Sequence, residues 1–195
     1  MQNKGLKYSL IAAIVCLSLN ELLWMGNAFM VKMLYGTVEF DPVVWSHAIS
    51  YCSSAILGVL YLSLIAAGVC LLAGNKQSLP ALLGGGLLSL HGLLSFLRIV
   101  LYHGFRLDIL YNHWITWFMV VLYATALILV AVHYRNGALI GLAVTKAVLS
   151  VVFMAARMWV PDDITYGIII GIDSILGFIV SLLVFIFWLR QVNKE

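Results

Sequence analysis

The chain has 195 residues, of which 64% are hydrophobic and only 10% are charged, and its formal net charge is +3. A soluble domain carries about 25% charged residues, because its surface must face water. The mean hydropathy of +1.06 therefore indicates a surface that mostly faces lipid. The small net charge, without any run of like charges, gives no sign of a nucleic-acid partner.

The first apolar run extends from residue 8 to residue 34 and follows Lys4 and Lys7. The apolar region of a secretory signal peptide is shorter than this run and is followed by a small-residue cleavage site. No such cleavage site follows the run here. We expect this run to be a retained membrane span, because about 20 apolar residues suffice to cross a bilayer.

Five further apolar runs have the length of membrane spans. The six predicted spans are 8–34, 43–73, 79–103, 113–134, 137–160 and 164–189. The breaks between them are short, so consecutive helices should be antiparallel neighbours. The sequence predicts an all-α polytopic membrane protein in which residues 1–195 form a single bundle of six transmembrane helices.

The basic residues predict that both termini lie on the inner side of the membrane, since cytoplasmic loops carry an excess of lysine and arginine. With this orientation, only Lys32 and Arg106 fall on the outer side. The inner side holds Lys4, Lys7, Lys76, Arg135, Arg190 and Lys194. We expect the protein in the bacterial cytoplasmic (inner) membrane.

Small residues and weak self-similarity indicate how the helices are arranged. Gly84 to Gly86 should let a neighbouring helix approach closely, and the GxxxG patterns at 137–141 and 167–171 are typical of helix faces that pack together or against other membrane subunits. The segment from His47 to Tyr51 resembles that from His113 to Trp117, which favours three helical hairpins as a degenerate repeat.

No cofactor is expected. Cys16, Cys52 and Cys70 are separated residues within apolar runs, where cysteine usually serves as a small packing residue. The histidines show neither HxxxH nor HxxEH spacing, and only His91 is deep enough to ligate a haem, which needs two facing histidines. We predict no metal site.

Glu21 is the most informative residue, because it places a carboxylate near the middle of the first span. A charge at that depth costs at least about 2.5–3.5 kcal/mol on insertion scales and needs partners inside the protein. The candidate partners lie on other spans at a depth predicted to be in the outer half of the membrane. The candidate ligand-binding or coupling residues are Glu21, Arg98, Arg157, Asp173, His91, Asn20 and Trp24.

Two interpretations of this cluster remain open: the opposite charges hold helices together, or they form a working site. Hydrophobic packing would hold the helices at lower cost, which favours the site. Lys146 is expected to be separate from the cluster and to extend to the inner interface.

The sequence favours a small transporter, channel or substrate-binding membrane subunit with an outward-facing polar site for a small anionic or zwitterionic ligand. The alternatives are a non-catalytic subunit or assembly factor of a larger membrane complex, and an intramembrane enzyme acting on a lipid or lipid-linked substrate. An enzyme is the less favoured class, because the chain lacks GxSxG, HExxH and a phosphate-binding glycine loop. No catalytic residue is assigned.

Overall fold

The computed structural model describes residues 2–34, 42–74, 77–105, 107, 113–159 and 163–194. Within these ranges the chain forms six helices and no strand. The helices are α1 (Gln2–Leu34), α2 (Pro42–Gly74), α3 (Leu79–Phe105), α4 (His113–His133), α5 (Gly137–Trp159) and α6 (Asp163–Val192). Each contains a segment long and apolar enough to cross a membrane. The protein is an integral membrane protein, and the predicted six-helix fold is confirmed.

The predicted span ends differ from the helix ends mainly at the two ends of the chain. Helix α1 begins at Gln2 rather than at residue 8, and α6 continues to Val192 rather than ending at 189. The apolar pattern marks the part of a helix that lies in lipid. Backbone hydrogen bonding continues into the polar residues on either side, which that pattern does not detect.

The six helices form a ring. Each helix packs against the next one along the chain, and α6 returns to α1, with which it makes the least extensive contact of the six neighbouring pairs. A ring of this size cannot bring all six helices together on one axis, so it has room for a cavity at its centre.

The tightly packed part of the bundle lies at one end, where the chain begins and ends. The main hydrophobic cluster includes Leu10, Leu71, Leu127, Leu139 and Trp188, which are almost inaccessible to solvent. All its members lie in the first half of α1, α3 and α5 or in the second half of α2, α4 and α6. Antiparallel neighbours produce this pattern. We call this end of the bundle, defined by the cluster, the packed half.

The three consecutive glycines of α3 have different surroundings. A Cβ added to Gly84 would lie 3.1 Å from the Val130 backbone nitrogen of α4. A Cβ added to Gly85 would lie 2.8 Å from the Gly68 carbonyl oxygen of α2. Gly86 has no atom within 4 Å of the same position. The predicted close packing is therefore confirmed for two of the glycines, and they bring α3 against both of its neighbours.

Polar side chains close the helix ends in the packed half. The Asn136 Oδ1 accepts a 3.0 Å hydrogen bond from the Leu139 backbone N–H at the start of α5. The Ser78 hydroxyl lies 2.8 Å from Nδ1 of His133, which joins the start of α3 to the end of α4. Such contacts satisfy polar groups that the ends of helices leave without partners.

Candidate functional site

A central cavity of about 340 Å³ lies inside the ring, and every helix contributes to its wall. One prominent side chain comes from each helix in turn: Glu21, Tyr61, His91, Tyr123, Lys146 and Asp173. All of these except Asp173 lie near the middle of their helices. The cavity is thus at mid-depth, directly above the packed half, rather than confined to the outer half predicted from the sequence.

Glu21 is half-buried and faces the cavity from α1. Within the part of the chain that the structure describes, its carboxylate has no hydrogen bond or ion pair. An ionisable group inside a membrane bundle is costly and normally faces a partner or a water-filled space. Glu21 therefore has its acceptor oxygens available to whatever occupies the cavity.

Lys146 and Asp173 form the charged wall on the α5–α6 side. The Lys146 Nζ donates a 3.3 Å hydrogen bond to the Gly177 carbonyl oxygen. A Cβ at Gly177 would lie 3.2 Å from that Nζ and 3.5 Å from Asp173 Oδ1, so both charged groups border the same glycine. Asp173 also interacts electrostatically with Lys146. The expectation that Lys146 extends to the inner interface is wrong, because its ammonium is engaged inside the cavity.

His91 packs between aromatic rings rather than beside a carboxylate. Its ring stacks on Tyr123 with centroids 4.6 Å apart and meets Tyr61 edge-on at 6.1 Å. Its Nε2 is 3.5 Å from the Ser95 hydroxyl. The Nδ1 atom is buried and makes no hydrogen bond with the residues that the structure describes. The α2–α4 side of the cavity is thus aromatic, with one imidazole held in place by stacking.

Asn20 and Trp24 are linked through α2. The Trp24 Nε1 donates a 3.1 Å hydrogen bond to the Ser53 hydroxyl, which itself donates a 2.7 Å bond to Asn20 Oδ1. Asn20 lines the cavity, whereas Trp24 is 45% exposed on the outside of the bundle. The sequence grouped both residues with Glu21. In the structure Asn20 lines the cavity, whereas Trp24 is connected to it only through Ser53.

The two arginines are placed differently from the other predicted site residues. Arg98 is half-buried on α3 and is not among the residues that line the central cavity. The side chain of Arg157 lies outside the described residues. Lys146 is the basic side chain that lines the cavity in the described chain. Its position near the middle of the fifth predicted span could have indicated this from the sequence.

Besides Lys146, the polar lining residues that the sequence did not single out are tyrosines and serines, and the rest of that lining is mostly leucine and phenylalanine. Tyrosine and serine are common in membrane helices, and these positions belong to no sequence motif. The residues concerned are Tyr61, Tyr123, Ser150, Ser174 and Ser181. Their common feature is depth: each projects into the ring, away from the packed half or at its border. Only the packing of all six helices identifies them.

The cavity combines three charged side chains with an imidazole, hydroxyls and aromatic rings, which suits the binding of a small polar solute. Its two carboxylates and one ammonium give it a formal charge of −1 among the described lining residues, with His91 neutral. No family model, no curated protein and no solved structure matches this chain.

Proposed function

We propose that this protein is a small transporter of the bacterial cytoplasmic membrane whose central cavity binds a solute carrying an ammonium group, either a cation or a zwitterion. The observation that carries the proposal is Glu21, a carboxylate with no hydrogen bond or ion pair among the described residues, in a cavity to which all six helices contribute. Buried carboxylates of this kind typically mark the path of a substrate or a coupling ion through a membrane protein.

The charge balance of the cavity favours an ammonium group over an anion. Asp173 already interacts with Lys146, so Glu21 is the carboxylate that remains for a ligand. Tyr61 and Tyr123 add aromatic side chains to the lining, and aromatic rings attract cations. The sequence predicted an anionic or zwitterionic ligand, and the anionic part of that prediction depended on two arginines. Of these, Arg98 does not line the cavity, and the side chain of Arg157 lies outside the described residues.

The position of the packed half favours access of a ligand to the central cavity from the end of the bundle opposite to the chain termini. Its apolar cluster closes the ring between the cavity and the chain termini. With the orientation predicted from the basic residues, the cavity would open outward. A transporter in this state would exchange its ligand with the outer side and would have to rearrange the packed half to release it inside.

A ligand panel tests the proposal. Purified protein is heated in detergent with glycine, lysine, choline or putrescine, and with acetate or phosphate as anions, while its unfolding midpoint is measured. A bound ligand at about 100 times its Kd stabilises by about 2.7 kcal/mol. We expect at least one amine-bearing solute to raise the midpoint of the wild type, and neither anion to do so.

Matched variants connect this response to the cavity. Glu21→Gln keeps the shape of the side chain and should abolish the response while leaving the unliganded midpoint nearly unchanged. Leu19→Ala alters a 48% exposed side chain on the same helix and should respond like the wild type. Stabilisation by the anions alone, or an undiminished response in Glu21→Gln, would overturn the proposal.

A subunit or assembly role is the second candidate, and the outer face of α5 favours it. Gly137 and Gly141 are exposed, and among the described residues a Cβ at either would meet nothing within 4 Å, so this predicted close-packing face is not used inside the described bundle. Substituting Gly141 with Leu should then disrupt association with another membrane protein while leaving the ligand response intact.

A further inference from the structure

A second site lies where α2 begins and α3 ends, on the outside of the ring. A pocket of about 430 Å³ is lined by His47, Ser50, Tyr51, Tyr102 and His103. All five side chains can donate a hydrogen bond. A set of hydrogen-bond donors of this kind suits a phosphate group.

The ring of His103 is held in a defined position. Its Nε2 lies 2.6 Å from the Ser54 hydroxyl. Its ring centroid is 5.2 Å from that of Tyr51 and 4.9 Å from that of Tyr102. Because Nε2 is engaged, Nδ1 is the nitrogen that remains for a ligand.

An apolar groove of about 310 Å³ continues from this pocket along α2 and α3. Tyr51 and His103 belong to both sites, so the polar and apolar parts are continuous. The remaining wall of the groove is formed by Ser54, Ala55, Gly58, Val59, Leu62, Phe96 and Ile99. Gly58 keeps the floor open, because a Cβ there would reach only ordinary contact with Phe96 at 3.8 Å.

The dimensions of the groove match one leaflet of a bilayer. From Tyr51 to Leu62 the helix rises about 16 Å, which is half of a hydrocarbon core of about 30 Å. Val59 and Leu62 are 51% and 49% exposed, so the groove faces the lipid rather than the central cavity. The polar pocket is near the helix ends, at the level of lipid headgroups.

We propose that this groove binds one anionic phospholipid of the leaflet in which α2 begins, with the phosphate at His47 and His103 and an acyl chain along Gly58. The imidazole and hydroxyl groups donate hydrogen bonds to the phosphate oxygens, and a protonated imidazole adds an attractive charge. The site is separate from the central cavity, since the two share no lining residue.

Native mass spectrometry of the detergent-purified protein tests this, with phosphatidylglycerol and phosphatidylcholine of identical acyl chains as probes. We expect one phosphatidylglycerol to remain bound at concentrations where phosphatidylcholine does not. His47→Ala, at an exposed position outside the packed regions, removes this donor and should weaken phosphatidylglycerol binding about tenfold, the effect of losing one hydrogen bond to an ionised group.

The acyl-chain part of the site is tested with a matched pair at Gly58. Gly58→Leu fills the groove and should reduce binding of both lipids, whereas Gly58→Ala should bind like the wild type. Size-exclusion chromatography verifies that each variant is folded. If Gly58→Leu does not fold, Leu62→Trp at the exposed rim fills the groove instead. Equal binding of the two lipids by the wild type, or no loss in the filled variants, would overturn the proposal.

Discussion

The Lys146 ammonium is bonded to the Gly177 carbonyl oxygen at 3.3 Å, across the α5–α6 contact and inside the central cavity. The same carbonyl accepts a 2.7 Å hydrogen bond from the Ser181 hydroxyl. Gly177 leaves room for the ammonium here, since a Cβ would make a tight contact of 3.2 Å with Nζ. A charged residue in the middle of a span is thus held by a backbone group and by the nearby Asp173, not by extension to the membrane surface.

Removing the charge of Lys146 should destabilise the protein, because Asp173 would remain in the cavity without its cation. For Lys146→Met we expect a loss of about 1–3 kcal/mol, the range for a hydrogen bond that involves a charged group. Scanning fluorimetry in detergent measures it. Asp173→Asn should also destabilise, and the double variant should lose less than the sum, since it removes both charges. Additive losses would show that the two side chains act independently.

The amino-acid sequence predicts the helices but not the wall of the cavity. Six apolar runs predict six spans because residues that face lipid must be apolar. The cavity depends instead on which face of each helix turns inward, and the spans are apolar all round, so that face carries little signal. Glu21, His91 and Asp173 were found because ionisable residues are costly in lipid. Tyr61 and Tyr123 have no such cost and were missed.

Lys146 was misplaced for a different reason. Lysine near a helix end normally extends its ammonium to the interface, but Lys146 lies at mid-span. Lys146 is nine residues from the start of α5, about 14 Å of helix, which exceeds the reach of its side chain. Depth alone would have placed it inside the protein.

The adjacent glycines of α3 give a prediction with an internal control. Gly85→Ala would place a Cβ 2.8 Å from the Gly68 carbonyl oxygen and 3.0 Å from Leu71 Cβ, so α2 and α3 must separate. We expect a loss of about 1–3 kcal/mol, typical of overpacking. Gly86→Ala meets no atom within 4 Å and should be neutral or slightly stabilising. Unfolding midpoints in detergent rank the two, and an equal loss in both would contradict this packing.

The Ser53 hydroxyl links α1 to α2 by hydrogen bonds, and its removal should weaken the contact between the two helices. Ser53→Ala removes the bond from Trp24 and the bond to Asn20, leaving the Asn20 oxygen buried without its donor. We expect a loss of about 1–3 kcal/mol, with a shift in tryptophan emission as Trp24 loses its partner. Ser46→Ala is the control, because that hydroxyl is exposed and bonds to the Val43 carbonyl within its own turn. A loss no larger than that of the control would contradict the link.

The side from which the cavity opens is testable with three positions on α5. After Cys16, Cys52 and Cys70 are replaced by alanine, single cysteines are introduced at Ser150, which lines the cavity, at Ala143, in the packed half, and at Val148, which is 54% exposed. A membrane-impermeant methanethiosulfonate reagent reacts with a thiolate, which requires water.

Because the packed half closes the ring below the cavity, Ser150→Cys should react only when the reagent is added on the side opposite to the termini. Ala143→Cys should be protected by packing and Val148→Cys by lipid, so neither should react from either side. Right-side-out and inside-out vesicles distinguish the two directions. Reaction of Ser150→Cys from the side of the termini would mean that the packed half does not seal the cavity, and the direction of access inferred from it would be wrong.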